Sequence, residues 1–452
     1  MKIINLDSKN MTTDIAIVGA GLAGCEAAWQ LAKRKMKVSL FEMRPIKKTS
    51  AHQTDLPAEL VCSNSFKSED LTNAHGLLKT EMTMAGSLIM NCAVKTRLPA
   101  GAALAVDREQ FSACIKSELI NTGQVEFITQ EIVDLKALKN QYKHVIIATG
   151  PLSSEGISNA LIDLMEEDQL FFYDAIAPVV TRESINMDIA FYKSRYDKGS
   201  ADYINCPMNQ EQYELLIESL LISEKVPFND FEKAKHFEGC LPIEVMAARG
   251  PQTLSFGPMK PVGLEHPETH DKYYGVLQLR QENQTGTLYN LVGCQTRMKW
   301  PEQKRVFQMI PGLENCEFAR YGSMHRNTFI NAPKQLETSL ELKTVKDVYL
   351  AGQMTGVEGY SESTAMGLWA AINLIQKIEG KPLLQPDSST MIGGLVNYLK
   401  TASPDNFQPM NANFGLIAPI VSKTKIPKKL KRQQQAERAV AAWKDQLATL
   451  TS

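Results

Sequence analysis

The stretch Asp14–Arg44, DIAIVGAGLAGCEAAWQLAKRKMKVSLFEMR, decides the fold. An apolar run, Ile15 to Val18, enters Gly19-Ala20-Gly21-Leu22-Ala23-Gly24, and a helical pattern follows without a break. A second apolar run, Val38 to Phe41, then ends on Glu42, with Arg44 just beyond it. Strand, glycine turn, helix and strand in this order make a dinucleotide site. Gly19 permits the tight turn, Gly21 lets the backbone approach a pyrophosphate, and Gly24 lets helix and strand pack closely. The helix offers backbone N–H groups and the positive end of its dipole to the phosphates. Glu42 stands where a carboxylate accepts hydrogen bonds from ribose hydroxyls. The competing reading is a glycine-rich turn that serves packing alone.

A chain of 452 residues exceeds what one core usually fills. The fold expected is α/β: a doubly wound, Rossmann-like domain made of residues 1–160 and 325–452, interrupted by a mixed α+β insert over 161–324. Apolar residues are 44% and charged residues 22%, as in soluble globular proteins. No apolar run reaches membrane-spanning length, and MKIINLDSKN lacks a signal-peptide core, so a cytoplasmic protein with no membrane contact is expected. There the eight cysteines stay reduced. None forms a Cys-x-x-Cys pair, so no metal site is expected. A net charge of −1 argues against a chain coated in basic residues, and a polyanionic partner must be met by a local patch.

After Arg44 a long polar, loop-like stretch carries Cys62 in Val-Cys-Ser-Asn-Ser; such loops inside enzymes are often functional. A reactive thiol needs donors that stabilise its thiolate, whereas an isolated cysteine is usually a small buried apolar residue. Both readings stay open for Cys62. Leu77–Met90 reads as one methionine-rich helix packed in the core. Asp107 stands where it would cap a following helix. His144–Gly150 is a short strand ending in glycine, which sets Gly150 under a ligand at the carboxyl end of the sheet. Further on, Cys240 lies in a turned segment, FEGCLPIE, and Arg280-Gln281-Glu282-Asn283 closes a strand as a recognition edge. His325, Arg326 and Asn327 align three potential ligand-contacting groups where the chain returns to the first domain. A second strand ends at Gly352-Gln353, followed by Gly359-Tyr360-Ser361-Glu362 and an apolar helix over 364–378. A unit of this kind can close over the flavin end of FAD. The tail places Val440, Trp443 and Leu447 on one helix face, which docks on the body. The six cations between Lys423 and Arg432 read equally as a solvated face and as a phosphate-contacting patch.

The segments IVGAGLAGCEAAWQLA, LVCSNSF, FEGCLPIEVMAARG, LSFGPMKPVGL, LQLRQEN, MIPGLENCEFARYGSMHRNTFINAP and LAGQMTGVEGYSESTAMGLWAAINL together resemble one family. It is the methylenetetrahydrofolate- and FAD-dependent tRNA (uracil-5-)-methyltransferase family, and the match runs from about Asp14 to Ile378. The FAD-binding part is also similar to the glucose-inhibited-division-type flavoprotein that modifies wobble uridines. That relative carries a long extra C-terminal helical domain, for which this chain is too short. The resemblance implies that methylenetetrahydrofolate gives a carbon to C5 of the T-loop uridine (position 54) of tRNA. Reduced FAD is the carbon carrier and hydride source, and NADPH or NADH is the reductant. It further implies Cys240 as the thiol that attacks uracil C6 and Cys62 as a second essential thiol near the flavin. Gly19, Ala20, Gly21, Gly24, Glu42, Arg44, Asp107, Gly150, Gly352, Gln353, Gly359, Tyr360, Ser361 and Glu362 are then the cofactor-binding candidates. His325, Arg326, Asn327 and Arg280 are the candidates for folate and substrate. Close variants of the family act on a uridine of large-subunit (23S) rRNA instead. A small-molecule FAD/NAD(P)H oxidoreductase with merely buried cysteines is the reading from a different class.

Overall fold

Short strands buried on both faces need continuous apolar runs, and four of them gather around the opening motif. In the computed structural model a parallel sheet of five strands runs in the order Val348–Leu350, His144–Ile147, Ile15–Val18, Val38–Glu42, Val125–Thr129. Ile17 sits at its centre, paired with Leu40 on one side and Ile146 on the other. The chain departs from this central strand in both directions, so the crevice at its carboxyl end is a topological switch point. The structure describes residues 13–49, 51–165, 171–198, 200–226, 241–281, 286–404, 407, 409–422 and 426–450, with the backbone alone for 171–176, 323–327 and 428. Cys240, Glu282, Asn283, Lys423 and Lys425 lie outside the described residues.

Helices Leu22–Lys33 and Tyr360–Ile378 pack against each other on one face of this sheet. The approach is close because Gly367 has no side chain: a Cβ there would sit 2.2 Å from the Ala23 carbonyl oxygen. Helix Tyr360–Ile378 begins four residues before the apolar pattern that announced it, because Tyr360 to Ser363 are turned inward.

A second sheet is antiparallel throughout, in the order Phe191–Tyr192, Tyr203–Met208, Gly275–Gln281, Leu288–Leu291, Val179–Thr181, Phe318–Arg320. It encloses its own core with helices Gln210–Ile222, Ile243–Ala248 and Trp300–Phe307, around Leu220, Leu277, Val306 and Phe307. The antiparallel strands Phe171–Ile176 and Ser323–Thr328 pair with each other where the chain crosses between the two sheets. The chain is thus an α/β protein with an additional sheet domain.

The stretch over 77–90, read from its sequence as one helix, is two: Ala74–Met84 and Leu88–Lys95. The break is local chemistry. Gly86 takes a positive φ of 69°, and the Ser87 side chain accepts the Met90 N–H as a new N-cap. The first of these helices holds the C-terminal region. The fully buried Glu81 carboxylate accepts N–H groups from Met391 (2.7 Å) and Ile392 (2.8 Å), at the start of helix Met391–Thr401. The Trp443 indole N–H donates to the Glu81 carbonyl at 2.7 Å, docking helix Lys428–Thr449. No helix among the described residues is long and apolar enough to cross a membrane.

Burial pushes the Glu81 carboxyl up to about 8, against the pull of the two N–H groups. The folded state keeps this proton to about pH 8, whereas the ordinary carboxylate value is 4.5. The stability it contributes is therefore full below 4.5 and is lost as pH rises through 8. Urea unfolding followed over that window should show a falling midpoint, flattened in Glu81→Gln. That variant should also cost about 1–3 kcal/mol at the acid end, because its amide leaves one helix N–H without an acceptor.

Candidate active site

The glycine turn shapes the floor of the site. Gly19 has a φ of 101°, and a Cβ on it would meet the Ala148 carbonyl oxygen at 2.5 Å. A Cβ on Gly24 would lie 1.9 Å from the Gly19 carbonyl oxygen, so only glycine lets the helix come this near the strand. Gly21 is the N-cap of helix Leu22–Lys33, and no side chain caps it. The first turn carries no carboxylate, which leaves its N–H groups and dipole directed at the cavity.

At the end of the second strand, Glu42 accepts the Ala20 N–H (3.1 Å) and is gripped by Arg44 Nε at 3.0 Å. The same guanidinium reaches Glu59 at 3.1 Å. Burial works against the Glu42 charge, but the Arg44 hydrogen bonds and charge outweigh it, and its carboxyl lies below the usual range. A cleft lined by Gly19, Gly21, Phe41, Glu42, Arg44 and Ser153 starts here. It shares Gly21, His52, Thr149 and Leu152 with a second cavity, so the two form one groove. The second cavity is lined by Gly150, Gly352, Gln353, Gly359 and Tyr360, and by Cys62. The donor set fits a dinucleotide: a carboxylate at one end, an uncapped helix N-terminus in the middle, and a wider chamber at the other.

Cys62 is held from both sides. Its N–H and that of Ser63 both donate to the Tyr360 hydroxyl, at 2.8 and 3.0 Å. Its carbonyl accepts from Arg108 Nη2 (3.4 Å) and Arg320 Nη2 (3.5 Å). Arg108 also donates to the Leu60 carbonyl. Two guanidinium groups thus hold the backbone of the segment that carries the thiol. Elsewhere burial pushes the thiols of Cys25, Cys92, Cys206 and Cys294 far up, and that of Cys316 to about 12. Those five are packing residues; Cys62 is half-buried and faces the cavity.

Several residues expected at the ligand also make structural contacts. Asp107 accepts the Gln110 N–H at 3.1 Å as the N-cap of helix Arg108–Asn121, and it lines neither chamber. Ser361 and Glu362 are buried beneath the chamber; Glu362 faces His75 Nδ1 (3.1 Å) and accepts the Ala412 N–H (2.9 Å). Arg280 turns inward, donating through Nε to Asn64 Oδ1 at 3.0 Å. Asn64 in turn donates to the Gln281 and Val106 carbonyls, so this pair ties the thiol loop to the second sheet. These four residues thus carry structural roles of their own. His325, Arg326 and Asn327 lie in strand Ser323–Thr328, where the backbone alone is described.

The groove also holds residues that the sequence did not single out. Thr149 precedes Gly150 at the end of its strand, and that position was a usable signal. His52 comes from a loop, Lys67 from the short strand Ser65–Ser68 and Gln295 from the second sheet region, and no local pattern marks them. Lys67 is exposed and has a φ of 63°, a conformation that a side chain adopts at some cost.

This geometry defines a dinucleotide-binding α/β protein with a thiol at one end of its groove. Residues 14–382 match the family model described as Glucose inhibited division protein A. The GidA protein of Aquifex aeolicus superposes with a TM-score of 0.70 at 16% identity, covering 97% of this chain and 74% of that one, a likeness of fold. Much nearer in sequence are two proteins named methylenetetrahydrofolate–tRNA-(uracil-5-)-methyltransferase TrmFO. That of Natranaerobius thermophilus is 53% identical over 94% of this chain and 97% of its own length. That of Bacillus subtilis is 52% identical, with the same two coverages. The chain belongs to this methyltransferase family.

Gly24→Ala should displace the helix from the strand, costing about 1–3 kcal/mol and removing bound flavin, read from the visible absorbance of the purified protein. Tyr360→Phe leaves two backbone N–H groups without their acceptor. It should lower the thermal midpoint by an amount equivalent to about 1–3 kcal/mol.

Proposed function

We propose that the chain is a folate-dependent RNA methyltransferase that forms 5-methyluridine in tRNA, at the T-loop uridine. The observation that carries this is the shared groove: the Cys62 chamber is continuous with the cleft at Glu42. The 53% identity to a methyltransferase of this name over nearly the whole chain supports the same reading. FAD suits the groove, with its ribose at Glu42, its pyrophosphate over Gly21 and its flavin end towards Gly352, Gln353 and Tyr360. When bound, methylenetetrahydrofolate would supply the one-carbon unit, and reduced FAD would carry it and supply the hydride. NADPH or NADH is the proposed reductant.

The protein's own part is to activate the pyrimidine. Uracil C5 is a weak nucleophile, and a thiolate adding at C6 makes it a strong one. Cys240 is assigned this addition. Its neighbour Ile243 donates its N–H to the Gln295 carbonyl at 2.7 Å, and Gln295 lines the Cys62 chamber, which supports the assignment. Cys62 is assigned the removal of the C5 proton, its backbone held by Arg108 and Arg320. His325, Arg326 and Asn327 are assigned to folate. A uridine within a folded loop has to leave its stack to enter such a chamber. Residues 161–324 would form the RNA-facing insert, and 1–160 with 325–452 the FAD-binding domain. Lys429, Lys431 and Arg432, exposed or half-buried on helix Lys428–Thr449, are available to phosphates.

Purified protein incubated with T-loop RNA carrying 5-fluorouridine should form a covalent complex, and Cys240→Ala should form none while retaining FAD. Cys62→Ala should lower the methylation rate about 10²- to 10⁴-fold, the usual contribution of a proton-transfer group. Turnover of NAD(P)H coupled to a metabolite and indifferent to RNA and folate would instead make the protein a small-molecule oxidoreductase.

A further inference from the structure

Beside the thiol loop lies a feature that the chemistry above leaves unused. Phe318 and Tyr321 stack at 4.8 Å between ring centroids with 13° between planes, and Tyr321 and Trp300 stack at 5.4 Å and 11°. The three rings form a near-parallel ladder whose last member, Trp300, is 64% exposed. One exposed aromatic residue needs no explanation, but an open ring face at the end of an ordered stack is a ready surface for another flat ring.

The ladder is also fixed in place. Trp300 opens helix Trp300–Phe307, and Pro301 holds the first turn of that helix. The fully buried Gln303 donates to the Met298 and Gly322 carbonyls (2.7 and 2.8 Å) and accepts the Gly322 N–H at 2.8 Å. This clamps the segment carrying Tyr321 to the helix carrying Trp300. The residue before Tyr321 is Arg320, whose guanidinium reaches the Cys62 carbonyl. The ladder is thus one residue removed, along the chain, from a side chain that touches the thiol loop.

Charge selects the occupant. In a chain of net charge −1, residues 297–305 hold Arg297, Lys299, Lys304 and Arg305 against the single carboxylate Glu302. Arg297, Lys299 and Arg305 face Glu244, Glu224 and Glu302, and the exposed Lys304 leaves this group with one net positive charge. A flat aromatic face within a cationic rim is the combination that binds single-stranded nucleic acid through base stacking and phosphate attraction.

We propose that the outer face of Trp300 is the stacking platform for an unpaired nucleobase adjacent to the uridine that is modified, an inference that rests on the RNA-methyltransferase reading above. Trp300 is thus a positioning residue: it holds the strand while the uridine enters the chamber, and it takes no part in bond making.

The test uses the FAD-loaded enzyme and a T-loop stem-loop RNA with 2-aminopurine in place of the base on either side of the target uridine. Wild type should quench one of the two probes on binding. Trp300→Ala should lose that quenching and raise KM for RNA about tenfold, with flavin content, thermal midpoint and KM for methylenetetrahydrofolate unchanged and kcat affected much less. Trp300→Phe, which keeps a flat ring, should recover most of the quenching and of the KM. Unchanged quenching and KM in Trp300→Ala, beside a wild type that methylates the RNA, overturn the platform and leave the methyltransferase reading standing. A rise in KM for folate alone also overturns it, making the face a pterin contact. A wild type that neither binds nor methylates RNA removes both.

Discussion

The structure depends on how close helix Leu22–Lys33 comes to its neighbours. Its N-terminus is wedged between the central strand and helix Tyr360–Ile378, at separations that a single methyl group would forbid at Gly24 and Gly367. Dispersion and apolar burial then lock helix to strand and helix to helix with little freedom to slide. That rigidity matters because the end of the helix faces the groove. An anion site made of backbone N–H groups works only if those groups stay put, and here sterics rather than a capping side chain hold them.

The second constraint is the polar seam between the two cores. Asn64 is wholly buried and yet fully engaged, donating to Val106 and Gln281 and accepting from Arg280. A buried amide without these partners would be costly, so the seam sets where the second sheet sits against the thiol loop. Tyr360, Arg108 and Arg320 complete the loop's support from three directions. The position of Cys62 is thus determined by residues from both cores. In the proposed reaction, a thiol that meets both a cofactor and an RNA base benefits from being fixed by both halves of the protein.

Much of this was legible in the chain. The glycine turn, Glu42, the strand ends at Gly150 and Gly352, and Tyr360 all carry a local pattern whose physics demands one arrangement. Asp107 and Glu362 have structural roles that the sequence did not show, because a carboxylate beside a motif can serve a helix end or a buried partner as well as a ligand. Asp107 does the former and Glu362 the latter. The helix break at Gly86 was written in the sequence as Ala-Gly-Ser, and the apolar periodicity on either side masked it. His52, Lys67, Gln295 and the Phe318–Tyr321–Trp300 ladder are products of long-range packing, and no window of sequence contains them. Cys240, outside the described residues, was singled out by a segment read as turned and by the family resemblance, and Ile243, three residues on, makes the Gln295 contact.

The central claim is that one continuous groove brings the flavin end of a dinucleotide to the Cys62 thiol. Electron density for crystals of the FAD-loaded protein tests it most directly. The account predicts the adenosine ribose on Glu42, the pyrophosphate over Gly21, and the isoalloxazine in contact with Tyr360 and beside Cys62. A flavin lying in the opposite sense, or one seated away from the Cys62 chamber, would contradict it.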